Sequence, residues 1–193
     1  EGDGKGRIGL AIARNNPEIL YAFIDVKEGS DLSAQVYKST NGGSSWIRTN
    51  DYTISSMNNT FGWYFGQIRV DPANDDRFFV LGVEMYRSDN GGDSYTYIAG
   101  YQNLDQIYVD QHAQYIGPQP GRVIHGNDGG LYVSNDYGDS WTKIEKLPIT
   151  QFYAIEVDYL NPQRIYGGTQ DNNSIRTYTG ALDDWERIFG GDG

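Results

Sequence analysis

One turn pattern, written three times along the chain, limits the folds open to it more than any other feature. It reads Ser39-Thr40-Asn41-Gly42-Gly43-Ser44-Ser45-Trp46, then Ser88-Asp89-Asn90-Gly91-Gly92-Asp93-Ser94-Tyr95, then Ser134-Asn135-Asp136-Tyr137-Gly138-Asp139-Ser140-Trp141. The shared form is Ser-x-(Asp/Asn)-x-Gly-x-Ser-aromatic. Each residue type has a physical task in such a turn. Asn41, Asn90 and Asp136 can fold their side chains back onto nearby backbone amides. Gly43, Gly92 and Gly138 supply the positive φ that lets the chain reverse. The hydroxyls of Ser39, Ser88 and Ser134 can bind neighbouring backbone groups. Trp46, Tyr95 and Trp141 can bury between adjacent sheets. A degenerate fourth copy over 177–184 runs into Trp185. The closing aromatics follow one another at roughly 40–50 residues, the length of a four-stranded propeller blade.

A second repeat supports the first. Ile68-Arg69-Val70-Asp71-Pro72 resembles Ile107-Tyr108-Val109-Asp110 and Ile155-Glu156-Val157-Asp158, and Asn16-Pro17-Glu18-Ile19-Leu20-Tyr21 resembles Asn161-Pro162-Gln163-Arg164-Ile165-Tyr166. Each unit reads as an alternating strand, an Asp/Asn-Pro turn and a second strand. The expected fold is all-β: four-stranded antiparallel blades at about 7–50, 51–100, 101–148 and 149–193, forming one partial β-propeller over 1–193. In the third blade, strand A is expected over 106–110, strand B over 122–126, strand C over 130–134 and strand D over 141–144.

Composition excludes several function classes. With 25 glycines and 16 tyrosines in 193 residues, short strands and tight turns are favoured over helices. The net charge of −11 repels phosphate backbones and anionic bilayers, so neither nucleic acid nor membrane insertion is expected. The chain has no cysteine, so it offers neither disulfides nor thiolate metal ligands. The first residues, Glu1 to Gly6, lack the apolar stretch of a signal peptide, and Met does not begin the chain. Its other end is Gly190-Gly191-Asp192-Gly193. The expectation is a piece of a larger propeller of six to ten blades, completed by the same or another chain.

The three turns, with Gly126-Asn127-Asp128-Gly129-Gly130-Leu131-Tyr132, Gly168-Thr169-Gln170-Asp171-Asn172 and the terminal Gly-Gly-Asp-Gly, resemble the Asp-box, or BNR-repeat, propellers. Within that group the chain is most similar to the sortilin-type and xyloglucanase-like branches. The resemblance covers nearly the whole chain. It implies a secreted, periplasmic or cell-surface protein, and it is more specific for fold than for function, because such propellers include glycosidases, sialidases, receptors and assembly factors.

In an up-and-down blade the D-to-A and B-to-C connections share one end, and the Asp-box turns lie at the other. A binding mouth is therefore expected from Glu84, Asn127, Asp128, Gln170 and Asp171, joined by Trp63 and Tyr64 of the long loop over 49–65. Aromatic faces beside amides and carboxylates suit a sugar ring. Asp128, Asp171 and Asp192 are the candidate acids for glycoside hydrolysis, which needs two carboxyl groups about 5–10 Å apart. The xyloglucanase-like pattern implies a catalytic Asp where Asn127 and Gln170 stand, which counts against catalysis. No arginine set marks a sialidase. His112 is expected on the A-to-B side, away from the mouth, and His125 reads as a lone structural histidine. No metal is expected: no histidine pair has ligand spacing, and the Asp and Asn clusters match no calcium loop. No other cofactor motif is present. The expectation is a non-catalytic binding or scaffold propeller with a protein or polysaccharide partner. A glycoside hydrolase is the alternative and a sortilin-type peptide binder the second; the absence of cysteine weighs against the latter.

Overall fold

The computed structural model describes residues 4–28, 31–145, 147 and 149–193. It forms two compact units that divide between Ile144 and Glu145. The first holds three four-stranded antiparallel sheets and the second holds one, each with its strands in sequence order. The first sheet is β1 (Lys5–Ile12), β2 (Leu20–Glu28), β3 (Asp31–Ser39) and β4 (Ile47–Arg48). The second is β5 (Gln67–Asp71), β6 (Asn74–Leu81), β7 (Met85–Ser88) and β8 (Thr96–Ala99). The third is β9 (Gln111–Ile116), β10 (Val123–Asn127), β11 (Gly130–Ser134) and β12 (Thr142–Lys143). The second unit is β13 (Phe152–Val157), β14 (Ile165–Thr169), β15 (Ser174–Thr177) and β16 (Glu186–Phe189). Among the described residues the one helical segment is a 3₁₀ turn at Tyr52–Ile54, and no helix is long and apolar enough to cross a membrane. The fold is that of β-propeller blades.

The repeated turns close by one hydrogen-bond scheme. Ser39 Oγ donates to Asn41 Oδ1 at 3.0 Å and accepts from the Gly43 amide at 2.9 Å, while Asn41 Oδ1 accepts the Ser45 amide at 2.9 Å. Ser88 with Asn90, and Ser134 with Asp136, reproduce it. In the third copy Tyr137 takes a φ of +59° where Gly42 and Gly91 stand in the others. Its ring packs in the core and lies under the Arg77 guanidinium at 3.7 Å, which offsets the strain of a non-glycine residue there. The degenerate fourth turn is rewired: Asp184 accepts from the Thr177 and Thr179 hydroxyls, and the Gly180 amide donates to Thr177 Oγ1.

Packing follows the period-two alternation of the strands. Tyr21, Phe23 and Val36 of the first blade meet Ile68, Phe78 and Val80 of the second in one cluster. Phe79, Leu81 and Met85, on the opposite face of the second blade, meet Val123 and Tyr132 of the third in another. The closing aromatics Tyr95 and Trp141 pack against these two clusters. Charge follows the same order. Lys38 reaches Asp76 of the second blade at 2.8 Å, and Arg87 reaches Asp139 and the Tyr137 carbonyl of the third at 2.8 and 2.7 Å. The box turns sit against the A-to-B turns, through Gly42 to Glu18, Gly91 to Asp76 and Tyr137 to Gly121 backbone bonds.

The third blade corrects the sequence reading at one place. Its strand A is β9, Gln111–Ile116, and not 106–110. Ile107 and Val109 are buried as a strand's would be, but they fill the core from a loop that ends at Asp110, whose φ is +65°. The true strand carries Gln111, His112 and Gln114, so its polarity hides it from a search for alternating apolar residues. Gly117-Pro118 directly after Ile116 was the usable signal, since a proline, Pro72, also follows the end of β5.

Candidate functional site

Because β9 starts at Gln111, His112 lies at the loop end of the blades. As the second residue of β9 it stands beside the β10–β11 turn, and its Nε2 lies 2.6 Å from Asp128 Oδ1. The expectation that His112 lies away from the mouth is therefore overturned. The Tyr64 ring meets the imidazole edge-on at 5.9 Å and the Phe65 ring lies 5.6 Å from it, while Trp63 packs on Tyr64 at 5.5 Å. Phe65 is only 6% exposed and anchors the loop, whereas Trp63 at 70% and Tyr64 at 48% face solvent. Trp63, Tyr64, His112 and Asp128 form one continuous ledge with apolar faces and a polar end. The loop that carries it is pinned from below by buried Ile54 and Met57 and by the Glu84 amide, which donates to the Met57 carbonyl at 3.1 Å.

Beneath the ledge is a buried amide relay that sequence reasoning missed. The Gln111 side chain is fully buried and donates to the Val83 and Tyr108 carbonyls at 3.2 and 3.0 Å. Those bonds fix its amide orientation, so its Oε1 is the acceptor facing His125 Nε2 at 2.5 Å. Asn127 donates to the Tyr108 carbonyl at 2.8 Å and accepts the Gly129 amide at 3.0 Å. His125 is buried, and desolvation, with a smaller push from His112, takes its pKa down to about 3. It is a neutral structural residue, as a lone histidine on a strand suggested.

Glu84 sits in the β6–β7 turn and accepts the Tyr86 and Tyr97 phenols at 3.1 and 3.4 Å. Burial first, then the Glu84 charge, pushes the Tyr86 phenol up. Asn127 is committed to backbone groups, which leaves Asp128 as the residue of that turn directed to the ledge. In the second unit, Asp171 and Asn173 take φ of +55° and +77° in the β14–β15 turn. Asp192 Oδ1 accepts the Asp171 amide at 3.1 Å, and Gln170 bonds the Gln151 carbonyl through its own amide. Asp192 thus closes a turn. Among the described residues, no three His, Cys, Asp or Glu side chains gather as a metal would require.

No family model matches the chain. No curated protein matches it in sequence. Among solved structures it is similar to a GH74 enzyme from Niastella koreensis, at 17% identity and a TM-score of 0.55, over 96% of this chain and 30% of that one. It is similar to the extracellular domain assigned to a hybrid two component system of B. thetaiotaomicron, at 12% identity and a TM-score of 0.50, over 100% and 26%. YCF48 from Cyanidioschyzon merolae aligns at 14% identity and a TM-score of 0.47, over 95% and 56%. The chain thus spans about a third or less of the first two structures. At these identities the likeness is one of fold.

Proposed function

We propose that the chain is part of a non-catalytic binding or scaffold propeller of the Asp-box type, from a secreted or surface-associated protein. It holds a polysaccharide or protein partner on the ledge of Trp63, Tyr64, His112 and Asp128. The observation that carries this reading is the contrast between the ledge and its surroundings. Two large aromatic rings stand exposed on a loop that is itself anchored, which lowers the ordering cost of binding. The neighbouring polar side chains, Glu84 and Asn127, already have partners within the fold. Ring stacking with one hydrogen-bonded His–Asp pair at its end suits a planar sugar face or an aromatic peptide side chain better than acid–base chemistry.

The test is a binding screen against neutral polysaccharides and peptides, with isothermal titration of each hit. Replacing Trp63 by Ala should weaken binding about 10-fold or more while leaving the melting temperature unchanged. Binding that survives both Trp63→Ala and Tyr64→Ala would refute the site.

A glycoside hydrolase is the second reading. It is favoured by the Asp128 carboxylate, which opens onto an aromatic ledge, and by the shared fold with a GH74 enzyme. Turnover of a β-glucan that disappears with Asp128→Ala, Asp171→Ala or Asp192→Ala would establish it over the first. Absence of turnover, with binding retained, supports the scaffold.

A further inference from the structure

Two blade interfaces in the first unit obey one pattern, and a third position of the same kind stands open. In each interface the earlier blade offers large side chains of its second strand together with a cation one residue before the box serine. Tyr21, Phe23 and Lys38 serve the first interface, and Phe79, Leu81 and Arg87 the second. The later blade offers the opposite face of its sheet, its closing aromatic and a carboxylate. Asp76, whose carbonyl accepts the Gly91 amide of the box turn, receives Lys38.

The first blade has this receiving face too. Strand register sets it: Leu10 pairs with Ala22 and Ala22 with Tyr37, whereas Tyr21 and Phe23 point the other way into the first interface. On it Ile8, Leu10 and Ile12 are 52%, 63% and 62% exposed, whereas Ile68, on the first strand of the second blade, is fully buried. Trp46 is likewise more open than Tyr95 and Trp141, which pack against the buried clusters. Glu18 occupies the place of Asp76, since its carbonyl accepts the Gly42 amide, and its exposed carboxylate has no ion-pair partner among the described residues. Three aliphatic residues in a row at period two on a sheet face are what a buried interface needs and what a free surface avoids.

We propose that this face of the first blade seats a blade of a second copy of this chain, with Glu18 receiving that copy's cation. The chain carries the matching element. Arg176 precedes Thr177 of the fourth turn as Lys38 and Arg87 precede Ser39 and Ser88, and its described carboxylate partner is Glu186 on the adjacent strand of its own blade. Tyr166 and Phe189 share its sheet face by register, as large side chains accompany Lys38 and Arg87. The contact is head-to-tail, so it continues into closed rings or chains rather than stopping at a symmetric pair.

The test is analytical ultracentrifugation of the 193-residue chain over a concentration series, with the melting temperature of every variant measured alongside. The chain should self-associate. Leu10→Lys should weaken association about 30-fold without lowering the melting temperature, because the residue is already exposed. Glu18→Arg should also weaken it, and mixing Glu18→Arg with Arg176→Glu should restore it, because the two charges are then exchanged across the contact. If Leu10→Lys fails to fold, the charge-exchange pair carries the test alone. A chain that stays monomeric at every soluble concentration overturns the proposal, as does association indifferent to Glu18→Arg or not restored by the exchanged pair.

Discussion

The acid sensitivity of the fold should be traceable to His125. Its Nε2 donates to Gln111 Oε1, and Nδ1 is buried without a partner. Protonation would place a charge on a buried Nδ1 that has no acceptor, in an imidazole whose ring centroid lies 5.8 Å from that of Trp141. The folded value near 3 lies below the ordinary 6.5. The unfolded chain therefore binds the proton first as pH falls. Stability from this group is complete above about pH 6.5 and is lost on acidification towards pH 3. The slope is about 1.4 kcal/mol for each pH unit, so between pH 6 and pH 4.5 the loss is about 2 kcal/mol. Urea denaturation followed by tryptophan fluorescence, at half-unit pH steps across that window, measures it. His125→Leu should be less stable at pH 7, because Gln111 Oε1 keeps only the longer bond from Asn127 Nδ2, yet its stability should slope less steeply with pH. The carboxylates of Asp89, Asp136, Asp158 and Asp184 are all held below their ordinary range, so their contributions fall away only at lower pH. An unchanged slope in His125→Leu would refute the assignment.

Further outcomes follow from the turns and the blade contacts. Ser88→Ala removes the acceptor of the Gly92 amide and the donor to Asn90 in a buried site, and should cost about 1–2 kcal/mol in chemical denaturation. Gly92→Ala should cost more, about 2–3 kcal/mol, since the φ of +100° is unfavourable and the new methyl would stand 2.5 Å from Thr49 Cγ2. Arg87→Ala breaks contacts to Asp89, Asp139 and the Tyr137 carbonyl at a site only 11% exposed. It should lower stability by about 1–3 kcal/mol, and hydrogen exchange should quicken around 134–141 rather than in the first blade. Gly129→Ala places a methyl 2.4 Å from Tyr108 Cβ, so it should disturb the turn that aims Asp128 and weaken ligand binding at the ledge as well as stability.

The blades themselves were legible because their causes are local. A serine, an Asx residue and a glycine in fixed order can close only a narrow set of turns, and the degenerate fourth copy kept the threonine hydroxyl even as Asp184 took over the capping. The residues of the ledge were half legible. Trp63 and Tyr64 stood out as aromatics in a polar loop, but nothing local says that Phe65 turns inward while its two predecessors turn out. Packing against Val83 and Val109 decides that. His112 was misplaced for a related reason. Apolar alternation over 107–110 imitates a strand, and the real strand is polar because its buried Gln111 is satisfied by the nearby Tyr108 carbonyl and by two partners far from it in sequence, the Val83 carbonyl and His125. Periodicity records what each residue prefers to bury, and a polar side chain's burial depends on partners that only the assembled blades supply. The sequence by itself determined the kind of sheet, its repeat length and the end at which the box turns lie. The tertiary structure alone decided that Asn127 serves the backbone while Asp128 meets His112, and that Ile8, Leu10 and Ile12 on one face of the first blade stand exposed among the described residues.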